Sequence, residues 1–167
     1  TRYGYDASTR DAAESNLHNR TNTKTKPSNS AKNERIYQMK TINVVAAIIC
    51  KDDKIMIAKR GYGEFEGMYE FPGGKIEPGE TPENALIREL KEEMNAHLIV
   101  DEFFMHVHYD YPTFILEMDC FLCHIPDNHY ELLEHEDCKW IIPGQEDVVW
   151  VPADLQIIEK LIARNQA

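Results

Sequence analysis

Residues 73–96 join a loop rich in glycine and proline to a helix that carries several glutamates, and this segment constrains the fold most. It reads GGKIEPGETPENALIRELKEEMNA. Its first half holds three glycines and a proline, which predicts a loop throughout that half. Thr81 is a favourable N-cap and Pro82 suits the first helical position, while Asn95 can adopt the left-handed conformation that ends a helix. The segment therefore predicts a loop followed by a helix over residues 82–94.

The predicted helix has an acidic face and an apolar face. At about 100° per residue, Glu89, Glu92 and Glu93 fall within one arc, and apolar side chains fill the neighbouring arc. Like charges at these spacings destabilise a helix mildly. Mg²⁺ and Mn²⁺ prefer oxygen ligands and commonly lie between carboxylates and phosphates, so a bound cation would remove the repulsion. Arg88 flanks the arc, where it can orient a glutamate by a bidentate contact. When the helix is considered without the loop, the alternative to a metal site is an acidic face that is simply solvated.

The loop and helix together fit one specific spacing, Gly-x5-Glu-x7-Arg-Glu-apolar-x-Glu-Glu, at Gly74, Glu80, Arg88, Glu89, Leu90, Glu92 and Glu93. This pattern resembles the Nudix box. One departure is Asn95, which stands where the family has a glycine. The chain is similar to MutT-like and CTP pyrophosphohydrolase-like members of the Nudix hydrolase superfamily over about residues 41–165, including EFPGGK at 70–75 and PADL at 152–155.

The resemblance implies an α/β class Nudix fold, a three-layer α/β/α sandwich with a mixed β-sheet. The box helix should lie on one side of the sheet and a C-terminal amphipathic helix, beginning near Pro152, on the other. Independently, apolar runs predict strands at residues 42–50, 55–60, 98–107, 114–125 and 138–142. A glycine-rich loop is expected at residues 61–67.

The resemblance also implies which residues form the metal site. Glu89, Glu92 and Glu93 would bind Mg²⁺ or Mn²⁺ together with the carbonyl oxygen of Gly73 or Gly74. Glu80 would support the site from the loop and belongs to the substrate-binding set.

The catalytic set implied by the resemblance comprises Glu89, Arg88 and Glu134. Glu89 is our choice of general base, with Glu134 or the metal alone as alternatives. In MutT-like enzymes a further acidic residue precedes a Trp-containing strand, and Glu134 matches it, with Glu136 as the second choice. A solvated turn residue is the alternative role for Glu134.

Three further residues are candidates for substrate binding. Asp154 matches the family position that reads the base, although helix capping is equally consistent with it. Phe71 is expected either to stack on the base or to pack in the core. Arg60 either contacts phosphate or ends a strand. His106 and His108 share one strand face, and without a third ligand we favour packing over zinc.

The composition predicts one domain, at residues 39–167, preceded by a polar tail at residues 1–38 that lacks apolar periodicity. The tail is either native or vector-derived, and activity is expected not to depend on it. The net charge of −11 argues against stable nucleic-acid binding. No apolar stretch is long enough to span a membrane, and no secretory signal opens the sequence. We therefore expect a cytoplasmic monomer or homodimer whose partner is a small-molecule nucleotide.

The implied reaction is hydrolysis of a (deoxy)nucleoside triphosphate, including an oxidised or methylated one, to a nucleoside monophosphate and pyrophosphate. One alternative is an ADP-ribose or dinucleotide polyphosphate hydrolase, since Tyr111 and Pro112 lie where such subfamilies carry marker residues. The other is a catalytically silent nucleotide-binding Nudix domain, against which the retention of every box glutamate argues.

Overall fold

The computed structural model describes residues 2–3 and 39–167. Its elements, in chain order, are the strands β1 (Lys40–Lys51), β2 (Lys54–Arg60), β3 (Tyr69–Glu70) and β4 (Gly73–Lys75), the helix α1 (Pro82–Met94), the strands β5 (Ile99–Asp110), β6 (Phe114–His124) and β7 (His135–Ile141), a 3₁₀ turn (Pro152–Asp154), and the helix α2 (Leu155–Asn165). Each predicted strand run overlaps one of these strands, and residues 61–67 form the predicted loop.

The sheet is mixed and is organised around β1. Strand β1 runs parallel to β6 over ten residue pairs and antiparallel to both β2 and β4. The hydrogen-bonded order is β3-β2-β1-β6-β5, and β7 pairs with β2. This topology confirms the predicted mixed sheet.

Strand β1 contributes to two hydrophobic cores because successive side chains of a strand point to opposite faces. Val44, Ala46 and Ile48 lie in one cluster, whereas the alternate residues between them, such as Val45 and Ala47, lie in the other. The continuous apolar run of β1 thus reflects burial on both faces.

One helix covers each face of the sheet. The apolar side of α1, including Leu86 and Leu90, packs into the cluster that contains Val45. Ile157, Ile158 and Leu161 of α2 pack into the cluster that contains Val44. The three-layer α/β/α arrangement is therefore confirmed, with the box helix and the C-terminal helix on opposite sides. No helix in residues 39–167 is long and apolar enough to cross a bilayer.

The ends of α1 follow the predicted capping pattern. The Thr81 hydroxyl accepts a hydrogen bond from the Asn84 backbone N–H at 3.2 Å, and Pro82 occupies the first helical position. Asn95 ends the helix with φ of 46°, and its N–H donates to the carbonyl of Lys91 at 3.0 Å. Asparagine in the left-handed region thus replaces the glycine expected from the family pattern.

The prediction of a loop throughout residues 73–79 is wrong at its start. Gly73–Lys75 form β4 and pair with Val44, Val45 and Ala46 of β1. A Cβ at Gly73 would lie 1.9 Å from the Val45 carbonyl oxygen. Glycine is required here because the two backbones approach closely, which is a packing role that the loop rule does not anticipate.

His106 and His108 differ from the packing role predicted for them, because they lie on the solvent side of β5 and contact carboxylates. Nδ1 of His106 lies 2.7 Å from Asp119, and its Nε2 contacts Glu117. Nδ1 of His108 lies 2.5 Å from Glu117, and its Nε2 lies 2.8 Å from Asp110. Hydrogen bonds with these carboxylates, first Asp119 for His106 and Glu117 for His108, raise the pKa of both imidazoles.

This cluster predicts a pH-dependent contribution to stability. Folding raises the pKa of both imidazoles above the unfolded value of 6.5. Their contribution is therefore fully present below pH 6.5 and is lost as the pH rises through the raised values. We expect the unfolding temperature of wild type, relative to that of His106→Gln/His108→Gln, to fall as the pH rises through this interval. His97→Gln, at an exposed histidine outside the cluster, serves as the control, and parallel pH profiles for wild type and the double variant would contradict the prediction.

Candidate active site

Arg88 anchors the acidic loop to α1 through Glu80. Nε and Nη2 of Arg88 donate to the two carboxylate oxygens of Glu80 at 2.8 and 2.9 Å, and Nη2 also donates to the Lys75 carbonyl at 3.0 Å. The hydrogen bonds from Arg88, with a further one from the Glu77 backbone, lower the pKa of Glu80 to about 2. The predicted bidentate role of Arg88 is present in the structure, and Glu80 is the residue it holds.

Glu89 lies directly against the glycine strand. A Cβ at Gly74 would lie 2.1 Å from Cδ of Glu89 and 2.3 Å from its Oε2. Glu89 is buried, and its Oε1 accepts a hydrogen bond from Nη1 of Arg88 at 2.9 Å. The absence of a side chain at Gly74 therefore creates the space that the Glu89 carboxylate occupies.

Glu92 shares the same arginine nitrogen with Glu89. Nη1 of Arg88 lies 3.3 Å from Oε2 of Glu92, a side chain that is 58% exposed. Two carboxylate oxygens thus converge on one positively charged nitrogen, and oxygen donors of this kind fit Mg²⁺ or Mn²⁺. Within residues 2–3 and 39–167, no three His, Cys, Asp or Glu side chains are already arranged as a metal site. Pairing with Arg88 relieves the mutual repulsion of Glu89 and Glu92, which explains how two like charges can lie close together on α1.

Glu93 is the most deeply buried box glutamate, at 1% exposure. Burial, reinforced by the nearby carboxylates of Glu70 and Glu89, raises the pKa of Glu93 above its usual range. The loop before β7 docks on this end of α1, since the Leu133 N–H donates to the Glu93 carbonyl at 3.3 Å and the Glu131 N–H donates to the Met94 carbonyl at 2.8 Å. This contact places the next loop residue, Glu134, beside the box helix.

Glu134 is exposed and lines a small cavity together with Arg60, Glu70 and His135. Glu136, the second choice, forms an ion pair with Lys59 at 3.5 Å. Glu136 is thus engaged by Lys59, and the choice of Glu134 as the further acidic residue of the site stays a prediction.

Arg60 ends β2, and its guanidinium has a protein partner. Its Nη1 donates to Oε1 of Glu70 at 2.9 Å, and Nε2 of His135 lies 3.4 Å from the same oxygen. Burial opposes ionisation of Glu70, but Arg2, the His135 hydrogen bond and Arg60 together lower its pKa to about 2. Of the two roles predicted for Arg60, the structure shows the second: Arg60 ends a strand and pairs with a carboxylate of the protein. Glu70 was missed as a site residue, although it opens the EFPGGK segment.

Phe71 contributes its backbone, and not its ring, to a buried polar cluster with Asp154. The ring is fully buried and stacks on Trp150 with centroids 5.4 Å apart, which supports the core alternative. The Phe71 N–H donates to Oδ2 of Asp154 at 2.8 Å. Asp154 is also fully buried and makes no side-chain cap to α2, so its capping alternative is not supported. Burial raises the pKa of Asp154, while Arg2 opposes this shift.

Arg2 and Tyr3 belong to this same buried cluster, which the prediction of a separate tail did not anticipate. The Arg2 side chain is fully buried, and its Nη1 donates to Asp154 at 2.7 Å and to the Phe71 carbonyl at 3.0 Å. No sequence signal marked this pairing, because one arginine in a polar stretch has no periodic neighbours. The rest of the predicted tail, residue 1 and residues 4–38, lies outside the described residues.

The comparisons with known proteins agree with this geometry. Residues 44–159 match the NUDIX domain family. The chain is 36% identical over 133 residues to the CTP pyrophosphohydrolase of Escherichia coli (strain K12), a match that covers 77% of this chain and 97% of that protein. It is 40% identical over 126 residues to the 8-oxo-dGTP diphosphatase of Haemophilus influenzae, a match that covers 74% of this chain and 93% of that protein.

A solved structure shows the same architecture. The solution structure of the E. coli ORF135 protein superposes with a TM-score of 0.66 at 34% identity, covering 77% of this chain and 94% of that protein. The family match spans most of the folded region, and the relatives are covered over nearly their whole length. The chain therefore belongs to the NUDIX domain family.

Proposed function

We propose that this protein is a metal-dependent hydrolase that converts a (deoxy)nucleoside triphosphate to a nucleoside monophosphate and pyrophosphate. Relatives covered over more than nine-tenths of their length are a CTP pyrophosphohydrolase and an 8-oxo-dGTP diphosphatase. Canonical, methylated and oxidised nucleotides are therefore the substrate classes to test. The cytoplasmic location and the monomeric or homodimeric state stay predictions.

The observation that carries the proposal is the placement of Glu89 against Gly74. The carboxylate is buried, is oriented by Arg88, and lies beside a backbone that has no side chain to fill the space. Arg88 is in turn fixed by Glu80 and the Lys75 carbonyl. An oriented carboxylate can hold a cation and a phosphate in a defined position, which lowers the entropic part of the reaction barrier.

The residues of the box have distinct proposed roles. Glu89, Glu92 and Glu93 would hold Mg²⁺ or Mn²⁺, aided by the carbonyl of Gly73 or Gly74. When bound, the divalent cation neutralises polyphosphate charge and makes water a better nucleophile. Glu89 would accept a proton from the attacking water, and Glu134, on the loop docked on α1, is the second candidate for this role.

The base is proposed to lie beyond Glu70, where Asp154 and the backbone of Phe71 meet. Asp154 offers two acceptor oxygens, and the Phe71 carbonyl offers a third acceptor. Nucleobase edges carry amino and imino N–H donors that match such acceptors. Tyr111, which pointed to the ADP-ribose alternative, is 5% exposed, and its hydroxyl accepts a hydrogen bond from the Ala153 N–H at 3.1 Å. Tyr111 thus packs in the core, and its position gives no support to ADP-ribose or a dinucleotide polyphosphate as the substrate.

A substrate panel tests the proposed function. With Mg²⁺ or Mn²⁺, the purified full chain is expected to release pyrophosphate from at least one canonical, methylated or oxidised (deoxy)nucleoside triphosphate, and chelation by EDTA should abolish the release. Product analysis by anion-exchange chromatography identifies the monophosphate and the pyrophosphate. Turnover of ADP-ribose or dinucleotide polyphosphates without any triphosphate hydrolysis would replace the proposal with its rival. Nucleotide binding without turnover of any compound would identify a silent domain.

A further inference from the structure

The Arg2–Tyr3 pair fills the space beside Asp154 and the Phe71 backbone, where the base is proposed to bind. We call this space the Asp154 pocket. Both Nη atoms of Arg2 contact the Asp154 carboxylate, one at 2.7 Å and the other by a shorter contact with Oδ1. The side chains of Arg2 and Asp154 are both 0% exposed. The pair is thus a fully desolvated, bidentate contact, which is unlike a surface ion pair.

The Arg2 guanidinium also contacts two groups beside Asp154, one by a hydrogen bond and one by an ion pair. Nη1 donates to the Phe71 carbonyl at 3.0 Å, and Nε lies 3.3 Å from Oε2 of Glu70. Asp154 and Glu70 are buried carboxylates, and a buried carboxylate without a compensating donor is strongly unfavourable. Arg2 thus presents several N–H donors in one plane to Asp154 and the Phe71 carbonyl, from the same chain.

Tyr3 holds the arginine in place through an aromatic surface. Its ring centroid lies 5.0 Å from that of Phe65 and 6.0 Å from that of Tyr111. Its hydroxyl lies 3.2 Å from that of Tyr111 and accepts a hydrogen bond from Nη2 of Arg2 at 3.0 Å. The guanidinium carbon of Arg60 lies 4.9 Å from the centre of the Tyr3 ring. A nucleobase likewise combines a flat aromatic ring with N–H donors in its plane. The Arg2–Tyr3 pair therefore resembles a nucleobase in shape and hydrogen-bonding groups.

We infer that the Arg2–Tyr3 pair is an internal ligand that competes with the nucleotide for the Asp154 pocket. The enzyme exists as a closed form, in which Arg2 pairs with Asp154, and an open form that accepts the base. Only the open form binds substrate, so the apparent dissociation constant equals that of the open form divided by the fraction of molecules that are open. This inference rests on the proposed function, because it takes the pocket to be the base site.

The first test compares the kinetics of the full chain with those of Arg2→Ala, using the best triphosphate of the panel. If the closed form accounts for nine molecules in ten, Arg2→Ala lowers KM about tenfold with kcat unchanged. Arg2→Lys, which retains the charge but not the planar donors, should give an intermediate KM. Arg164→Ala removes an exposed guanidinium from α2 and is the matched control. A purely structural role for Arg2 would not separate KM from kcat in this way.

A second measurement shows whether the effect arises at the pocket. A synthetic peptide of residues 1–5 (TRYGY) should inhibit Arg2→Ala competitively, whereas the same peptide with citrulline in place of arginine should not. Equal KM values for wild type and Arg2→Ala in active enzymes, or no inhibition by the arginine peptide, would overturn the inference alone. If neither protein binds or hydrolyses any nucleotide, the proposed function and the inference both fail.

Discussion

Glu93→Gln is expected to lower kcat for triphosphate hydrolysis by about a hundredfold or more, the order of loss when one preorganised electrostatic group is removed from an active site. Glutamine retains the shape of the side chain but cannot carry the negative charge proposed to hold the cation. The fold should survive, because Glu93 is 1% exposed and its burial disfavours the charged form. A steady-state pyrophosphate assay gives kcat, and thermal unfolding without metal gives the stability.

Glu83→Gln is the matched control for this prediction. Glu83 lies in the first turn of the same helix and is exposed, outside the arc of Glu89, Glu92 and Glu93. Its substitution should leave kcat near wild type. Near-normal turnover in Glu93→Gln would remove Glu93 from the metal site, and a loss of folded protein in that variant would show that the charge is structural.

Gly74→Ala is expected to lower kcat by about a hundredfold, because a displacement of roughly 1 Å at a catalytic group has effects of this size. The new Cβ would lie 2.1 Å from Cδ of Glu89, so the carboxylate must move. A flexible side chain can move without unfolding the protein. The same pyrophosphate assay and an unfolding curve should therefore show a large loss of activity and a small loss of stability.

Gly73→Ala should show the opposite balance. Its Cβ would lie 1.9 Å from the Val45 carbonyl oxygen, which belongs to the central strand and cannot move independently. We expect the free energy of unfolding to fall by about 3 kcal/mol or more, at the upper end of what overpacking costs. Urea unfolding measures this loss. If the two alanine variants were equally stable and equally inactive, the division of roles between the adjacent glycines would be wrong.

The sequence predicted the parts of the fold that depend on short-range rules. Thr81 and Asn95 mark the ends of α1 because caps are local hydrogen-bonding patterns. The alternation of buried residues in β1 is likewise contained in one continuous run. The β4 strand was not predicted, because its glycines are needed for the approach of β1, which is distant in sequence.

The candidate site divides in the same way. Arg88 and Glu80 are eight residues apart on one loop and helix. The bidentate contact from Arg88 to a glutamate was predicted, and the structure identifies that glutamate as Glu80. The partners of Asp154 are Phe71 and Arg2, which are 83 and 152 residues away. Contacts between such distant positions depend on the folded topology, so the sequence left the role of Asp154 undecided between capping and base recognition.

The short stretch between β3 and β4 has a consequence for how this enzyme can diversify. The Phe71 backbone contacts Asp154 in the proposed base pocket, and Gly73 and Gly74 lie two and three residues later beside β1 and Glu89. Substitutions that change the backbone path of this stretch would also displace the carboxylate of Glu89, the proposed general base, so a new substrate preference is not expected to arise here. Asp154 belongs to a different element, at the start of α2. New base preferences are therefore expected to arise at that helix, where sequence can change while the cleavage chemistry is preserved.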